Sequence, residues 1–310
     1  SSMLITNDVA LITFIPFTII VLRLSNQIGA LISLATLETI AANLGSMLSP
    51  IGNPRNLYLF TFYQMEPTEF FLTLLPYGLL SFLLIGASML LFRHKTVDVA
   101  ISREKTLSPD GWRCAFYAVL FLLSLLTVFR VFPSFLTLII TIIALLCYDR
   151  QTFRQVDYSL LLTFLFLFIF IGNLGKIPVI HNALQYLVDG REVLAGVLAS
   201  QIFSNVPAAV LLSNFTQDAA ALLVGVNLGG LGTLIASMAS LISFKFVIKE
   251  VPAGKYLFIF TWFNVVFLLL LLLLLHLLQI QEREPFYRFH EAELLHHGSA
   301  DLRDVRHIRF

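Results

Sequence analysis

Four of the long stretches without a charged residue constrain this chain most. They cover residues 70–92, 131–148, 158–175 and 256–281, and they are 23, 18, 18 and 26 residues long. A helix needs about 20 consecutive apolar residues to cross the hydrocarbon core of a membrane. A buried core helix is the alternative for any one stretch, but a soluble fold of 310 residues has no room for four of them. The sequence therefore predicts an all-α polytopic membrane protein.

The composition limits the classes of partner and chemistry open to this chain. It is 58% hydrophobic and 13% charged, with a mean hydropathy of +0.86, whereas about a quarter of the residues in a soluble domain are charged. The net charge of +1 gives no indication of nucleic-acid binding. Cys114 and Cys147 lie in or beside apolar stretches, so they predict neither a disulfide framework nor a thiol-based metal site. We expect a lipid bilayer around the chain, no cofactor, and no metal beyond a coupling Na⁺.

Basic residues indicate the topology and the division of the chain. Lys and Arg cluster in three hydrophilic segments, at 93–113, 150–154 and 245–255, and such clusters favour the cytoplasmic side. The predicted units are a first repeat at 1–92, a cytoplasmic linker at 93–111, a second repeat at 112–281 and a polar C-terminal tail at 282–310. Counting crossings places the tail outside. The chain starts without Met and is apolar from its beginning, so we expect it to start partway through a longer protein whose first helices are missing here.

Four polar interruptions lie within apolar surroundings. Two are short, at 6–8 ("TND") and 204–207 ("SNVP"), and two are longer, at 43–56 ("NLGSMLSPIGNPRN") and 226–240 ("VNLGGLGTLIASMAS"). Non-helical backbone at membrane depth survives only where it is buried in protein or lines a wet cavity. The predicted elements are a re-entrant hairpin with its tip at 6–8, a broken helix at 27–65, a span at 70–92, a second re-entrant hairpin at 193–217, a second broken helix at 219–244 and a final span at 256–281.

The two longer interruptions resemble each other. Setting 42–57 over 226–241 aligns an Asn-Leu-Gly tripeptide in both, with Asn43 on Asn227, and a short polar tip precedes each segment. Chance is the alternative, but two matched elements in one order favour a duplication. Many secondary transporters are built from inverted repeats whose broken helices meet at a binding site near the midplane. The crossing count has the first tip entering from the cytoplasm and the second from outside, which predicts an inverted pair.

The breaks expose backbone groups that can hold ions. One new helix end frees N–H groups and the other frees C=O groups. The N–H end favours an anion, while the carbonyl end suits a hard cation such as Na⁺. Pro54 cannot continue the hydrogen-bond ladder and Gly52 allows close approach of a ligand, so Gly52-Asn53-Pro54 predicts the first break. Gly232 and Ser237 mark its partner, and a kink that serves packing alone is the alternative for both.

Three charged residues lie inside apolar surroundings. Asp8 follows the first tip, Glu38 lies in the middle of 27–49, and Arg55 follows the first break. Ionisable side chains at membrane depth are costly and are functional candidates by default. Asp8 is the candidate for exchanging a coupling proton, with an interfacial acid as the alternative. Arg55 either attracts an anion or pairs with an acid such as Glu38 or Asp8, and the sequence leaves both open.

Four polar segments carry a family resemblance. They read "TNDVALI" at 6–12, "NLGSMLSPIGNPRNL" at 43–57, "SNVPAAVLL" at 204–212 and "GVNLGGLGTLIASMASL" at 225–241. In these segments the chain resembles the ion-transporter superfamily with the citrate-transporter-like domain. That superfamily includes arsenite-pump membrane subunits, sodium/proton antiporters of the NhaD type and sodium-coupled carboxylate carriers. The resemblance covers most of 1–280 and implies paired hairpins and broken helices that bind ions, and a homodimer.

The resemblance also implies roles for individual residues. In the carboxylate carriers the hairpin tips carry Ser-Asn-Thr, and the tips and unwound loops together bind sodium and substrate. Here Val206 stands where a threonine is expected, and Asp8 follows Asn7, which is more similar to the arsenite and sodium/proton branches. Together with the breaks, the expected substrate-binding residues are Asn7, Gly52, Asn53, Arg55, Asn56, Ser204, Asn205, Gly232, Thr233 and Ser237. The expected coupling-ion residues are Asn7, Asp8, Ser49, Asn205, Asn227 and Ser240.

These features predict a secondary active transporter that moves a small inorganic or organic anion, coupled to H⁺ or Na⁺, by alternating access. Na⁺/H⁺ exchange with Asp8 as the shared carboxylate is the alternative within the same class. An intramembrane enzyme is disfavoured, because the sequence lacks His-Glu-x-x-His and 86–89 reads "GASM" where Gly-x-Ser-Gly would be needed. A passive channel is disfavoured because paired breaks imply an occluded site. We expect the plasma membrane of a bacterium or archaeon.

Overall fold

The computed structural model of the chain is helical throughout the part that it describes, residues 2–91, 111–156, 158–174 and 177–304. The first half consists of α1 (Ser2–Ile5), α2 (Asn7–Leu24), a 3₁₀ turn (Ile28–Ala30), α3 (Leu31–Ser46), α4 (Pro54–Phe62) and α5 (Pro67–Leu91). The second half begins with α6 (Gly111–Val128), α7 (Ser134–Tyr148), α8 (Thr152–Gln155), α9 (Tyr158–Leu174) and α10 (Pro178–Val188). It continues with α11 (Glu192–Phe203), α12 (Asn205–Leu212), α13 (Ala219–Leu228), a 3₁₀ turn (Leu234–Ala236), α14 (Met238–Val247) and α15 (Ala253–Asp304).

Five helices of the described chain are long and apolar enough to cross a membrane. These are Asn7–Leu24, Ile28–Ser46, Pro67–Leu90, Gly111–Val128 and Ala253–Leu278. Their outward faces carry large apolar side chains such as Phe82 and Leu90, which are 77% and 81% exposed. Extensive exposed apolar surface marks contact with a membrane. The predicted fold class, an all-α polytopic membrane protein, is confirmed.

Both hairpins turn at a residue with a positive φ. Thr6, between α1 and α2, has φ 67° and ψ 154°, and Ser204, between α11 and α12, has φ 73° and ψ 154°. Residues other than glycine rarely adopt this region, which costs about 1–3 kcal/mol per residue. Such strain persists only where the surrounding structure holds it, and it clusters at functional sites. The two tips are therefore matched in backbone conformation as well as in sequence.

Both broken helices restart from an extended residue. α4 begins at Pro54 after Asn53, which has φ −159° and ψ 158°. α14 begins at Met238 after Ser237, which has φ −146° and ψ 138°. The two starts fall on each other in the alignment of the repeats derived from the sequence. The resemblance between the two segments thus extends to the residue at which each helix resumes.

The base of each hairpin lies beside the far end of the other repeat's broken helix. At the end of α2, Arg23 donates hydrogen bonds to both carboxylate oxygens of Glu250, just after α14, at 3.0 and 2.6 Å. Just after α4, the Tyr63 hydroxyl donates to the carbonyls of Ser213 and Thr216, which follow α12, both at 3.0 Å. Each restarted helix, α4 or α14, therefore ends beside the hairpin of the other repeat. This crossed arrangement is the one that an inverted repeat requires.

Two apolar clusters hold this arrangement together. The larger one joins α11, α12 and α13 to α4 and α5, and it buries Phe60 and Leu222 completely. The smaller one joins α2, α3, α14 and the start of α15 around Ile15 and Phe260. By contrast, α6 has no buried residue. The elements that carry the tips and breaks thus form the packed part of the molecule.

The helix bounds can be compared with the predicted division of the chain. α3 and α4 occupy the broken helix predicted at 27–65, and α11 and α12 occupy the hairpin predicted at 193–217. The linker predicted at 93–111 lies outside the described residues except for Gly111. α15 continues to Asp304, so the described backbone of the predicted polar tail is helical. The boundaries between the repeats stay a prediction.

Candidate binding site

Four helices begin at one small cavity. Its lining is made of the first residues of α2, α4, α12 and α14, together with the extended residues before α4 and α14. These lining residues are Asn7, Asp8, Asn53, Pro54, Arg55, Asn205, Val206, Ser237 and Met238. The cavity has a volume of about 30 Å³, which is room for one or two water-sized guests. Both hairpins and both broken helices contribute, so the two repeats meet here.

The helix starts give the cavity a positive potential. The first turn of an α-helix leaves backbone N–H groups without intrahelical partners. The aligned peptide dipoles add roughly half a positive charge at that end. A single helix N-terminus is already a favourable place for an anion, and here four of them converge.

Arg55 brings a full positive charge to the cavity. The residue is 1% exposed, and its Nε donates a hydrogen bond to Asn227 Oδ1 at 3.1 Å. Its Nη2 is buried and has no hydrogen-bond partner within the described chain. A buried guanidinium with an unused donor suits an anion, because charge-assisted hydrogen bonds are the strong ones.

The two acids proposed as partners of Arg55 lie in different places. Asp8 lines the cavity and attracts Arg55 electrostatically, although the described residues contain no direct ion pair between them. Glu38 is not at the cavity, and its carboxylate accepts a hydrogen bond from Thr18 of α2. Arg55 therefore faces Asp8 and not Glu38. Asp8 leaves the Arg55 donor free for a ligand.

Two aligned asparagines tie each repeat to the other. Asn43 Oδ1 accepts hydrogen bonds from Asn7 Nδ2 at 3.1 Å and from the Ser237 hydroxyl at 2.9 Å. In the second repeat, Asn227 accepts from Arg55 and donates to Asn56 Oδ1 at 2.8 Å. Each asparagine thus reaches the restarted helix of the other repeat. This crossed network positions the helix starts around the cavity.

Side-chain amides cover the carbonyls that the breaks release. Asn56 Nδ2 donates to the carbonyls of Ser46, Met47 and Ser49 at 3.3, 3.0 and 3.0 Å. In the second repeat, Gln201 Nε2 donates to the Gly229 and Leu231 carbonyls, both at 2.9 Å. We expected these carbonyls to bind a cation, but at each break a side-chain amide already donates hydrogen bonds to them. The N–H ends line the cavity and the carbonyl ends are capped.

Several buried polar atoms around the tips have no hydrogen-bond partner. Besides Arg55 Nη2, they include Asn7 Oδ1, Asn43 Nδ2, Ser204 Oγ and Asn205 Nδ2 within the described chain. An unsatisfied buried polar group costs about 1–3 kcal/mol, and such groups are few in folded proteins. Their concentration at the tips points to a ligand that supplies the missing partners.

The cavity includes some of the predicted site residues and leaves others outside its lining. The predicted residues that line it are Asn7, Asp8, Asn53, Arg55, Asn205 and Ser237. Those outside the lining are Ser49, Gly52, Asn56, Ser204, Asn227, Gly232, Thr233 and Ser240. The roles of both groups in binding stay predictions.

Contacts explain why several predicted residues lie away from the cavity. Gly52 accepts a hydrogen bond from the Asn7 N–H at 3.1 Å, and a Cβ on Gly52 would lie 2.2 Å from the Ser46 carbonyl oxygen. Thr233 is exposed, and its N–H donates to Gln201 Oε1 at 2.9 Å. These residues shape the breaks, and the helix starts that follow them provide the lining.

Sequence reasoning missed four residues with evident roles at the site. Asn43 was aligned with Asn227 but not assigned, although that alignment was the signal that could have found it. Gln201, which caps the second break, has no counterpart in the motifs. Val206 lines the cavity at the tip position where the resemblance expects a threonine, and that position was the signal for it. Met238 lines the cavity because α14 begins there, and its apolar side chain gives no signal of that kind.

A known family matches most of the chain that builds this cavity. The sequence model of the citrate transporter family matches residues 1–224. The chain belongs to the citrate transporter family. The matched range contains both hairpin tips and the first break, and it confirms the resemblance drawn from the four motifs. Together with the apolar helices, family membership shows an integral, multi-pass membrane transporter.

Two curated relatives align with most of this family member. The "Uncharacterized transporter MJ0456" of Methanocaldococcus jannaschii is 38% identical over 262 residues, which is 83% of this chain and 71% of the relative. The "Inner membrane protein YbiR" of Escherichia coli is 30% identical over 251 residues, which is 79% of this chain and 66% of the relative. No solved structure gives a significant match.

Proposed function

We propose that this transporter moves a small inorganic or organic anion by alternating access, coupled to H⁺ or Na⁺. The observation that carries the proposal is the convergence of four helix N-termini on one cavity beside the buried Arg55. Backbone N–H groups and the helix dipole both favour negative charge at such ends. The archaeal and bacterial relatives favour the plasma membrane of a prokaryote as the location.

The orientation of the breaks supports an anion over a cation as the main ligand. The carbonyls at the ends of α3 and α13 accept hydrogen bonds from Asn56 and Gln201. A cation would have to compete with these amide donors for the same oxygens. The N–H ends of α2, α4, α12 and α14, by contrast, line the cavity directly.

The size of the cavity relates the proposal to alternating access. A volume of about 30 Å³ accommodates an anion of only a few atoms. A larger substrate requires the lining elements to move apart. Arg23 at the base of the first hairpin lies beside the C-terminal end of α14, and Ser213 at the base of the second lies beside the C-terminal end of α4. In the predicted inverted repeat these two helix ends lie on opposite sides of the membrane. Movement of one hairpin at a time would open the cavity to one side at a time.

Na⁺/H⁺ exchange is the second candidate, and specific oxygens favour it. The Asp8 carboxylate lines the cavity, and the neighbouring Asn7 Oδ1 is buried without a partner in the described chain. Carboxylate and amide oxygens are suitable ligands for a hard cation. In this alternative Asp8 binds Na⁺ and H⁺ in turn, and no anion is needed.

A substrate panel on the purified full-length protein in proteoliposomes tests the proposal. Uptake of arsenite, citrate, succinate and sulfate is measured with and without gradients of H⁺ and Na⁺, alongside Na⁺-dependent proton flux in the absence of these anions. We expect uptake of at least one anion that a cation gradient drives. Proton-linked Na⁺ flux with no uptake of any anion would establish the exchange alternative. Anion flux that no cation gradient changes would indicate a channel.

Two asparagines on the same hairpin provide a matched test of the cavity. Asn205→Ala removes an unpartnered buried amide from the lining, whereas Asn214→Ala changes an exposed residue beyond the end of α12. Hydrogen bonds to charged groups are worth about 1.5–3 kcal/mol, so Asn205→Ala should raise KM for the anion by about tenfold or more. Asn214→Ala should leave KM unchanged. Equal KM values in the two variants would show that the second tip is structural only.

A further inference from the structure

A second partly buried acid lies away from the cavity. Glu38 is in the middle of α3, and its Oε1 accepts a hydrogen bond from the Thr18 hydroxyl of α2. Its other oxygen, Oε2, is buried and has no hydrogen-bond partner in the described chain. Glu38 is not among the residues that line the cavity. The anion-binding arrangement therefore leaves this carboxylate unused.

The surroundings of Glu38 do not compensate a negative charge. α3 packs against α1, α2, α5, α13, α14 and α15. The described charged or titratable side chains on these elements, apart from Tyr256, which is considered next, are Asp8 and Arg23 on α2, Glu69 and Tyr77 on α5, Lys245 on α14, and Lys255 and His276 on α15. None of them forms an ion pair with Glu38. Arg23, the cation on the hairpin arm, is bound to Glu250 instead.

One titratable group does face Glu38. The hydroxyl of Tyr256, at the start of α15, lies 2.8 Å from the Ser243 hydroxyl of α14, and Tyr256 interacts electrostatically with Glu38. Both Tyr256 and Ser243 are fully buried. Neutral hydroxyls can pass a proton along but do not balance a carboxylate charge. An ionised, unpaired carboxylate is costly in apolar surroundings, and a bound proton removes that charge without needing a cavity.

We propose that Glu38 is a proton-binding site, separate from the anion cavity, through which a proton gradient drives transport. The inference rests on the proposed function. The Thr18–Glu38 hydrogen bond joins the arm of the first hairpin to the first broken helix. The same two helices carry Asn7 and Asn43, which bond to each other beside the cavity. Proton binding keeps Glu38 stable between α2 and α3, and proton release requires the two helices to separate so that the carboxylate reaches water or a cation.

Asp8 is less suited to this role than Glu38. Asp8 faces the Arg55 guanidinium across the cavity, so its charge is already balanced there. An anion bound in the cavity would also compete with Asp8 for Arg55. Among the described residues no cation pairs with Glu38, and Glu38 does not line the anion cavity, so its proton occupancy can respond to the proton gradient.

The test compares Glu38→Gln with Glu69→Gln, a matched change of an exposed acid at the start of α5, in the full chain. Uptake driven by a pH gradient is compared with anion counterflow at equal pH, which needs no net proton movement. Glu38→Gln should lower pH-driven uptake by about tenfold or more and keep counterflow within about twofold of the unmodified rate. Glu69→Gln should change neither. Retained pH-driven uptake in Glu38→Gln, or the loss of counterflow together with uptake, would overturn the proposal.

A second measurement does not depend on transport. Infrared difference spectra of the purified protein between low and high pH report protonation of individual carboxyl groups. We expect one carboxylic-acid band to be lost in Glu38→Gln and retained in Glu69→Gln, even if the substrate panel finds no anion. The same band in Glu38→Gln as in the unmodified protein would refute the proton site. If Glu38→Gln fails to fold, Thr18→Val removes the hydrogen bond to Oε1, and it should shift the pH at which that band titrates, whereas an unshifted band would contradict the assignment.

Discussion

The two repeats share a backbone and differ in charge. Thr6 and Ser204 turn the two tips with nearly the same φ and ψ, and Asn53 and Ser237 start the two second half-helices in the same extended conformation. The charged residues of the cavity, however, both come from the first repeat. Asp8 is matched by Val206, and Arg55 is matched by Ala239.

This difference separates two contributions to the site. The backbone geometry, present twice, supplies four helix N-termini and their dipoles. The side chains of the first repeat supply the full charges, Asp8 and Arg55. The second repeat contributes a neutral half, with Asn205, Val206, Ser237 and Met238 in the lining. Charge preference is therefore a property of one repeat, although the cavity is built by both.

The largest expected effect is a loss of stability when the backbone at the first break is disturbed and the second break is left intact. In Gly52→Ala the new Cβ would lie 2.2 Å from a backbone carbonyl oxygen, whereas in Gly230→Ala the nearest atom is the Asn205 amide nitrogen at 3.0 Å. Backbone cannot yield as a side chain does, so Gly52→Ala should destabilise the protein by about 3 kcal/mol and Gly230→Ala by about 1 kcal/mol. Thermal unfolding in detergent measures both. Equal losses would show that the two breaks are packed alike.

The second effect removes the charge that distinguishes the repeats. Arg55→Gln should lower kcat/KM for anion uptake by about 30-fold or more, because losing one buried charged partner typically costs at least about 2 kcal/mol. Arg191→Gln, which changes an exposed arginine before α11, is the control and should have no effect. Full uptake by Arg55→Gln would mean that the helix N-termini suffice.

The third prediction concerns a substitution that makes the two hairpin tips more alike in charge. Asp8→Asn removes the negative charge that has no counterpart at Val206. It should lower KM for the anion by roughly tenfold, since a charge a few ångströms away contributes one to a few kcal/mol in a partly polar site. Concentration-dependent uptake measures this, and a raised KM would show that Asp8 helps to bind the substrate. If the pH dependence of uptake is also unchanged, Asp8 has no coupling role.

The smallest effect compares the two crossed asparagines. Asn227→Ala removes one hydrogen bond to the charged Arg55 and one to the neutral Asn56, whereas Asn43→Ala removes two hydrogen bonds to the neutral Asn7 and Ser237. Hydrogen bonds to charged groups are worth about 1.5–3 kcal/mol and neutral ones about 0.5–1.5 kcal/mol. Asn227→Ala should therefore be more destabilising by about 1 kcal/mol in thermal unfolding. The reverse order would show that Asn43 carries the junction between repeats.

The sequence predicted the fold class and the positions of the tips and breaks because apolar runs and helix-breaking residues act locally. Arg55 and Asp8 were identifiable because charge within a membrane is costly wherever it lies. Which residues of each break line the cavity could not be predicted from such local signals. Gly232 and Thr233 have the residue types of a binding loop, yet only the three-dimensional path turns them toward Gln201.

Contacts between distant residues were also beyond the sequence. The bond between Thr18 and Glu38 joins two helices whose faces are set by packing against α14 and α15. Apolar lining residues such as Met238 carry no chemical signal at all. The alignment of Asn43 with Asn227 was visible in the sequence, but their partners, Ser237 for Asn43 and Asn56 for Asn227, are set by how the two segments pack together.

The opposite charges of Asp8 and Arg55 have a consequence for the membrane voltage. Asp8 and Arg55 are the only charged residues in the described lining, so the lining itself adds no net charge to either reorientation step. A bound monovalent anion adds one negative charge, which is worth about 2.3 kcal/mol per 100 mV across the full membrane. A potential that is negative inside would then favour export. If, as we propose, Glu38 carries a proton with the anion and returns ionised with the empty site, each cycle moves one proton and one monovalent anion together. The whole cycle then moves no net charge, and the pH gradient sets the direction of transport.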